Sequence, residues 1–264
     1  MSQSYETIDL EARGRHVLIV RLNRTEAANA INTLMGQELD DALGAINDNP
    51  GQLRCIIVTG AGERAFCAGG DLRQRNEMTD AEWQAQHIVF ERMIRKIVDC
   101  PLPLIAAVNG AAYGGGCEIA LACDFIYAAD TAKFALTETT LGVIPGLGGT
   151  QQLPRAGGQR RALELLLTGK PFSAEEGLEW GIVNRVMAPG DLLAGVLATA
   201  EIIAANAPVA VRQAKRAVIG GMQMDLRSAM QFELEAYYQC VPTADRLEGV
   251  RAFNEKRKPA FKGE

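Results

Sequence analysis

The chain has 264 residues, of which 48% are apolar and 22% charged, with a net charge of −5. Those proportions exclude disordered, collagen-like and low-complexity classes, and a chain of this length buries roughly 75% of its surface without a metal or disulfide staple. The acidic balance argues against a nucleic-acid binder of the basic-patch kind.

Met1 to Glu6 shows no basic region followed by an apolar stretch, so no secretory signal is expected. His16 to Leu22 is apolar and β-branched and predicts a strand. Ile31 to Ile46 carries apolar residues at helical spacing, and Asn49-Pro50-Gly51 stops it. Arg54 to Gly60 predicts a buried strand, followed by a loop and then Ala65 to Leu72. Trp83 to Val98 is a second amphipathic helix, ended by Cys100-Pro101. The pattern then recurs with a strand at Leu104 to Val108, a turn at Asn109-Gly110 and a glycine-rich stretch to Glu118. A helix opens at Ile119 to Cys123, and short strands follow at Asp124 to Ala128, Lys133 to Leu136 and Val183 to Met187. Ser173 with Glu176 is a capping box, and Gly181 closes that helix. Strands alternating with helices predict an α/β core over 1–190. Beyond it the strand signals stop. Helices at Asp191 to Asn206, from Pro208 to Gly220-Gly221, at Asp225 to Cys240 and at Thr243 to Lys256 make 191–264 a helical appendage, for packing or oligomerisation.

Six cysteines are scattered without a C-x-x-C pair, and the histidines are His16 and His87 alone. A Cys/His zinc site is therefore not expected, and reduced thiols in a cytoplasmic compartment are. The longest uncharged run, Cys100 to Cys117, carries two prolines and four glycines and makes a poor membrane span.

Two loops share one design. Ala68-Gly69-Gly70-Asp71 and Gly114-Gly115-Gly116-Cys117-Glu118 each follow a buried strand and end in an acid near a helix start. Glycines admit a ligand to the backbone, and two N–H groups converging on one oxygen make an oxyanion hole; the alternative is a pair of tight turns. Neither loop matches a phosphate-binding fingerprint. Glu118 opens a small-residue helix, and Glu138 stands at the end of a strand, before a glycine/proline loop. If both face one pocket, they handle a proton and a water without a nucleophilic serine or a metal.

At these residues the sequence resembles the crotonase (enoyl-CoA hydratase/isomerase) superfamily, over nearly the whole chain. The matching pieces are Asn23-Arg24 with Asn29-Ala30, Ala65 to Leu72, Asn109-Gly110 with Gly114 to Glu118, Glu138 with Leu141 to Thr150, and Leu167-Thr168-Gly169. The resemblance implies a spiral of β-β-α units, a C-terminal helical region that builds trimers or hexamers, and an acyl-CoA thioester substrate. Gly70 and Gly115 match the backbone donors to the thioester oxygen, and Glu118 and Glu138 match both catalytic glutamates of the enoyl-CoA hydratases. The implied reaction is syn hydration of a 2-enoyl-CoA, with no metal or redox cofactor; the sequence leaves open which glutamate does which step. Ala28, Ala30, Ala68 and Leu72 match positions along the CoA path, and Phe253 and Lys256 match tail positions that contact CoA.

The C-terminal stretch, with Pro242 to Gly249 and Glu255 to Pro259, is similar to the 3-methylglutaconyl-CoA hydratase branch. Cys117 is closer to the short-chain hydratases, so fatty-acid and branched-chain amino-acid roles both stay open. A glutaconyl substrate carries a distal carboxylate, for which Arg73 and Arg75 are the candidates. Another crotonase reaction such as isomerisation needs only one glutamate. RNA binding through Arg73, Arg75, Arg92, Arg95 and Lys96 is the alternative of another class, weakened by Glu77, Asp80, Glu82 and Glu91 between them; neither DNA nor a membrane is an expected partner. Trp83 and His87 are expected in the core or a subunit-contact stripe. The loop Pro145 to Gly149 is expected beneath Glu138, fixing its carboxylate.

Overall fold

In the computed structural model, which describes residues 4–264, the chain opens on a hairpin. Strand β1 (Ile8–Arg13) runs antiparallel to β2 (Val17–Leu22) around Gly14, whose φ is +62°. Met1 to Gln3, part of the stretch read as carrying no signal, lie outside the described residues. Helix α1 (Thr33–Asp48) begins two residues later than the apolar spacing suggests. Asn32 is its extended cap, accepting from Met35 N at 2.8 Å, and Ile31 is drawn instead into a parallel bridge with Gly70.

Strand β3 (Cys55–Gly60) is buried throughout and is followed by the short β4 (Ala65–Cys67) and the single-turn α2 (Leu72–Arg75). Helix α3 (Asp80–Val98) starts three residues before Trp83, because Thr79 and Glu82 form a capping box. The same order recurs with β5 (Leu104–Val108), β6 (Ala111–Tyr113) and α4 (Gly115–Ala122), and then with β7 (Phe125–Ala129) and β8 (Lys133–Ala135). Each round gives one strand to a six-stranded sheet of order β1-β2-β3-β5-β7-β10 and one to a four-stranded sheet of order β4-β6-β8-β9. That alternation is the β-β-α spiral. The strands that successive rounds add, β3-β5-β7 and β4-β6-β8, pair in parallel, whereas β9 joins β8 antiparallel, and β3 and β5 are buried along their whole length because both faces are covered.

After a 3₁₀ turn at Glu138–Leu141 come α5 (Gly149–Gly157), α6 (Gln159–Thr168), β9 (Phe172–Ser173), α7 (Ala174–Glu179) and β10 (Arg185–Met187). The Ser173–Glu176 capping box is present, and Gly181 adopts φ +77°. Helix α8 (Pro189–Ala205) buries Leu192, Val196, Ala200 and Ala204 in the main core. Helices α9 (Pro208–Gly221), α10 (Leu226–Cys240) and α11 (Ala244–Asn254) lie outside it and leave large apolar side chains exposed, among them Met222, Leu226, Tyr238 and Phe253. No single described helix is long and apolar enough to cross a membrane.

One ion pair ties α9 to the core. Lys215 Nζ lies 2.8 Å from Asp124 Oδ2 and donates to Leu102 O at 2.8 Å, while Asp124 accepts from Leu104 N at 2.7 Å. Both side chains are mostly buried, so removing one partner strands the other. Lys215→Met is expected to lower unfolding free energy by about 3 kcal/mol, read as an earlier denaturant midpoint.

Candidate active site

The two glycine loops meet. Gly69 has φ +92°, and a Cβ there would stand 2.8 Å from Tyr113 O and 3.3 Å from Gly115 N, so the loops touch only because residue 69 has no side chain. The first loop is held along its length. Ile31 N donates to Gly69 O at 2.7 Å, and Asp71 N donates to Ile31 O at 2.9 Å. Asp71 caps α2 and pairs with Arg24 at 2.9 Å. Burial works upward on its carboxyl, but the Arg24 hydrogen bond and the α2 N–H groups hold it below its ordinary value. Neither Gly70 N–H nor Gly115 N–H has an acceptor among the described residues. Gly115 is also the first residue of α4, where N–H groups carry partial positive charge. Two free donors on touching loops have the makings of an oxyanion hole.

The carboxylates flank this point. Glu118, on the first turn of α4, is 2% exposed. Its Oε1 accepts from Leu147 N at 2.7 Å and Gly149 N at 2.8 Å. Burial pushes its pKa up to about 7 against those two donors, and Glu138 adds a smaller upward push. Glu138 opens the 3₁₀ turn rather than ending a strand. Its Oε1 lies 3.1 Å from where a Cβ on Gly114 would stand. Its Oε2 is buried without a hydrogen-bond partner among the described residues, and burial raises its pKa too.

The loop Pro145 to Gly149 therefore fixes Glu118, not Glu138 as the sequence suggested. The α4 carboxylate points at the Leu147 and Gly149 N–H groups, while Glu138 precedes the loop and sits against Gly114.

Ala68, Gly69, Gly70, Leu72, Gly114, Gly115, Glu118 and Glu138 line one cavity of about 1060 Å³. Ala28 and Ala30 do not line it but run beside it, Ala28 O accepting from Ala68 N at 3.1 Å. Phe253 and Lys256, at the end of α11, also stand apart from it; Phe253 is 83% exposed.

Of the cavity's remaining wall, only Arg75 was legible. Trp83 and His87, expected in the core or a subunit stripe, line the cavity, as does Arg75, whereas Arg73 does not. The Trp83–His87 spacing gives a shared helix face but not what that face meets. It meets the loop after Glu138, where the His87 ring lies so close to Gly146 that a Cβ there would stand 2.6 Å from it. Of the basic residues that suggested RNA binding, Arg75 turns into the cavity, while Arg92 and Arg95 pair with Asp40 and Glu91.

Two raised carboxyl groups beside two unpaired backbone donors define an acid–base site built around a carbonyl oxygen. The chain belongs to the enoyl-CoA hydratase/isomerase family, whose sequence pattern matches residues 12–264. It is 41% identical to the short-chain-enoyl-CoA hydratase of Clostridium acetobutylicum, over 94% of this chain and 95% of that protein. It is also 41% identical to the crotonyl-CoA hydratase of Syntrophomonas wolfei, over 98% of each. The crystal structure of enoyl-CoA hydratase from Bacillus anthracis superposes with a TM-score of 0.96 at 44% identity, covering 98% of this chain and 100% of that one. The crotonase resemblance and the spiral fold read from the sequence both hold.

Proposed function

We propose that the chain is an enoyl-CoA hydratase that adds water syn across the 2,3-double bond of a short-chain trans-2-enoyl-CoA. The observation that carries this reading is that Glu118 and Glu138 line one cavity together with Gly70 and Gly115. The thioester oxygen accepts from the Gly70 and Gly115 N–H groups, which stabilise the negative charge that develops on it as water attacks Cβ. Glu118, whose Oε1 already has two N–H donors, is suited to carry negative charge and takes a proton from the water. Glu138, whose buried Oε2 has no donor, is suited to the neutral acid and delivers a proton to Cα. The water oxygen ends on Cβ as a hydroxyl; the proton taken by Glu118 replaces, within the pair, the one given by Glu138, and its passage from Glu118 to Glu138 resets the site. Isomerisation needs only one such group, so the presence of two favours hydration.

CoA runs beside Ala28, Ala30, Ala68 and Leu72. The exposed apolar faces of α9 to α11 support assembly into a homotrimer or hexamer, and Phe253 and Lys256 remain the tail positions that the resemblance assigns to CoA. The names of the relatives support a role in fatty-acid metabolism, and six free thiols support a reducing, cytoplasmic setting. Loss of the ultraviolet absorbance of the conjugated enoyl thioester on mixing with crotonyl-CoA is the test; a folded protein that binds CoA but leaves this absorbance unchanged refutes hydration.

A further inference from the structure

Helix α2 is a single turn, too short to hold its own shape, and its cap Asp71 directly follows Gly70. Its place is set from outside. At its start, Asp71 pairs with Arg24. At its end it is held by Gln86 of α3, a buried residue that does not line the cavity. Gln86 Oε1 accepts from Arg75 Nε at 2.7 Å. The Gln86 amide nitrogen donates to Thr33 Oγ1 and to Gln74 Oε1, each at 2.9 Å. Thr33 N also donates to Gln74 Oε1, at 2.9 Å. One side chain of α3 thus joins α2 to the first turn of α1.

The chemistry of the partners leaves one arrangement. Arg75 Nε and Thr33 N can only donate, so the amide oxygens of Gln86 and Gln74 face them. Both hydrogens on the Gln86 amide nitrogen then need acceptors, and both have one. A buried amide is costly unless its hydrogen bonds are returned, and here they are returned by the two segments that carry the donor loop. Those segments are bridged at the loop itself. Ile31 N donates to Gly69 O at 2.7 Å, and Asp71 N donates to Ile31 O at 2.9 Å. These bonds pin the residues on either side of Gly70 to Ile31, and the Gln86 links lie just beyond them on both segments. Without the Gln86 links the bridge is a hinge, and a swing of α2 about Ile31 turns Gly70 with it. The Gly70 N–H has no acceptor among the described residues, so no bond of its own fixes its direction.

The geometry points to Gln86 as a positioning residue that aims the Gly70 N–H at the thioester oxygen, an inference that rests on the hydratase reading for the role of Gly70. Gln86 touches neither the substrate nor the reacting atoms; it acts through Thr33, Gln74 and Arg75. A fixed donor stabilises developing charge because it need not turn toward it, so a loosened one costs rate more than ground-state binding.

The test reads the donors directly. Hydrogen bonds to a thioester oxygen lower the carbonyl stretching frequency, and butyryl-CoA, isotopically labelled at its thioester carbon, binds without turning over. Its infrared band is expected to move down on binding to the wild-type protein. Gln86→Leu should lose about half of that downshift, the share of one donor of two, and lower kcat for crotonyl-CoA hydration about thirtyfold with KM changed less than about threefold. Gln74→Met, at an exposed position, removes the α2 acceptor without disturbing the core and should show the same loss in smaller measure. A lower melting temperature in Gln86→Leu with the full downshift and kcat retained marks Gln86 as structural only and overturns the proposal. If Gln86→Leu fails to fold, Gln74→Met decides, and an unchanged downshift there overturns it equally. A wild-type band that does not move on binding overturns the proposal and the oxyanion role of Gly70 together. A downshift that Gln86→Leu halves, in a protein that leaves crotonyl-CoA unhydrated, removes the hydratase reading and leaves the positioning role standing.

Discussion

Glu118→Gln and Glu138→Gln are each expected to lower kcat for crotonyl-CoA hydration about a thousandfold, with a much smaller change in KM, measured by loss of enoyl-thioester absorbance. The split between kcat and KM follows from where the groups act. The thioester is held by backbone N–H groups that neither substitution removes, while the proton transfers run through the two carboxyl groups. In the Glu118→Gln variant the side-chain amide oxygen would still accept from Leu147 N and Gly149 N, so the loop that fixes it need not move. The same variant gives a second readout. Burial raises the Glu118 pKa from 4.5 to about 7, so the folded protein holds that proton more tightly than the unfolded chain. The stability this confers is fully present below the unfolded value near 4.5 and is lost as pH rises through about 7. An ionised Glu118 at about pH 8 therefore costs stability, and Glu118→Gln removes that cost. The inactive variant should be the more stable protein at about pH 8, by up to about 3 kcal/mol, with the difference closing below about pH 5. A Glu118→Gln protein less stable than the wild type at every pH would show that the carboxylate is not held at a penalty.

The long elements of the fold were legible because their burial is uniform. Strands β2, β3 and β5 are apolar runs, and α1 and α3 keep their buried residues on one face. The second sheet was not. Strands β4 and β6 have three residues each, and the glycines beside them read as loop. Only pairing with one another, far apart in sequence, makes Ala65–Cys67 and Ala111–Tyr113 strands. Helices α5 and α6 were also missed, since Gly148-Gly149, Pro154 and Gly157-Gly158 break the local signal. In the site, the glycine loops and the spacing of Glu118 and Glu138 carried their own signature. Arg75 was named as a candidate for the acyl pocket, and it lines the cavity, but Leu147 N, Gly149 N, Trp83 and His87 carried no such signal. Backbone donors are invisible in side-chain identity, and Trp83 and His87 become cavity residues only through the approach of α3 to the loop after Glu138.

That dependence on close approach makes Gly116→Ala the substitution with the widest consequences outside the carboxylates. A Cβ on Gly116 would stand 2.1 Å from Cys67 O and 2.7 Å from Cys67 Cβ, so it meets the backbone of β4 and not the end of a side chain that swings aside. Helix α4 would have to withdraw from β4, and overpacking of this kind costs about 3 kcal/mol. The withdrawal carries Gly115 N–H and Glu118 with it, because both lie on the same turn of α4 as Gly116. A displacement of about 1 Å in catalytic geometry typically costs about a hundredfold in rate. Gly116→Ala should therefore lower both the melting temperature and kcat, whereas Glu118→Gln lowers kcat alone. Gly190→Ala, in the first turn of α8, is the matched control: nothing lies within 4 Å of its Cβ, so stability should hold or rise slightly through helix propensity, with activity retained. If Gly116→Ala behaves like Gly190→Ala, the contact between α4 and β4 is loose, and the oxyanion donors are held in place by something other than the packing of these two elements.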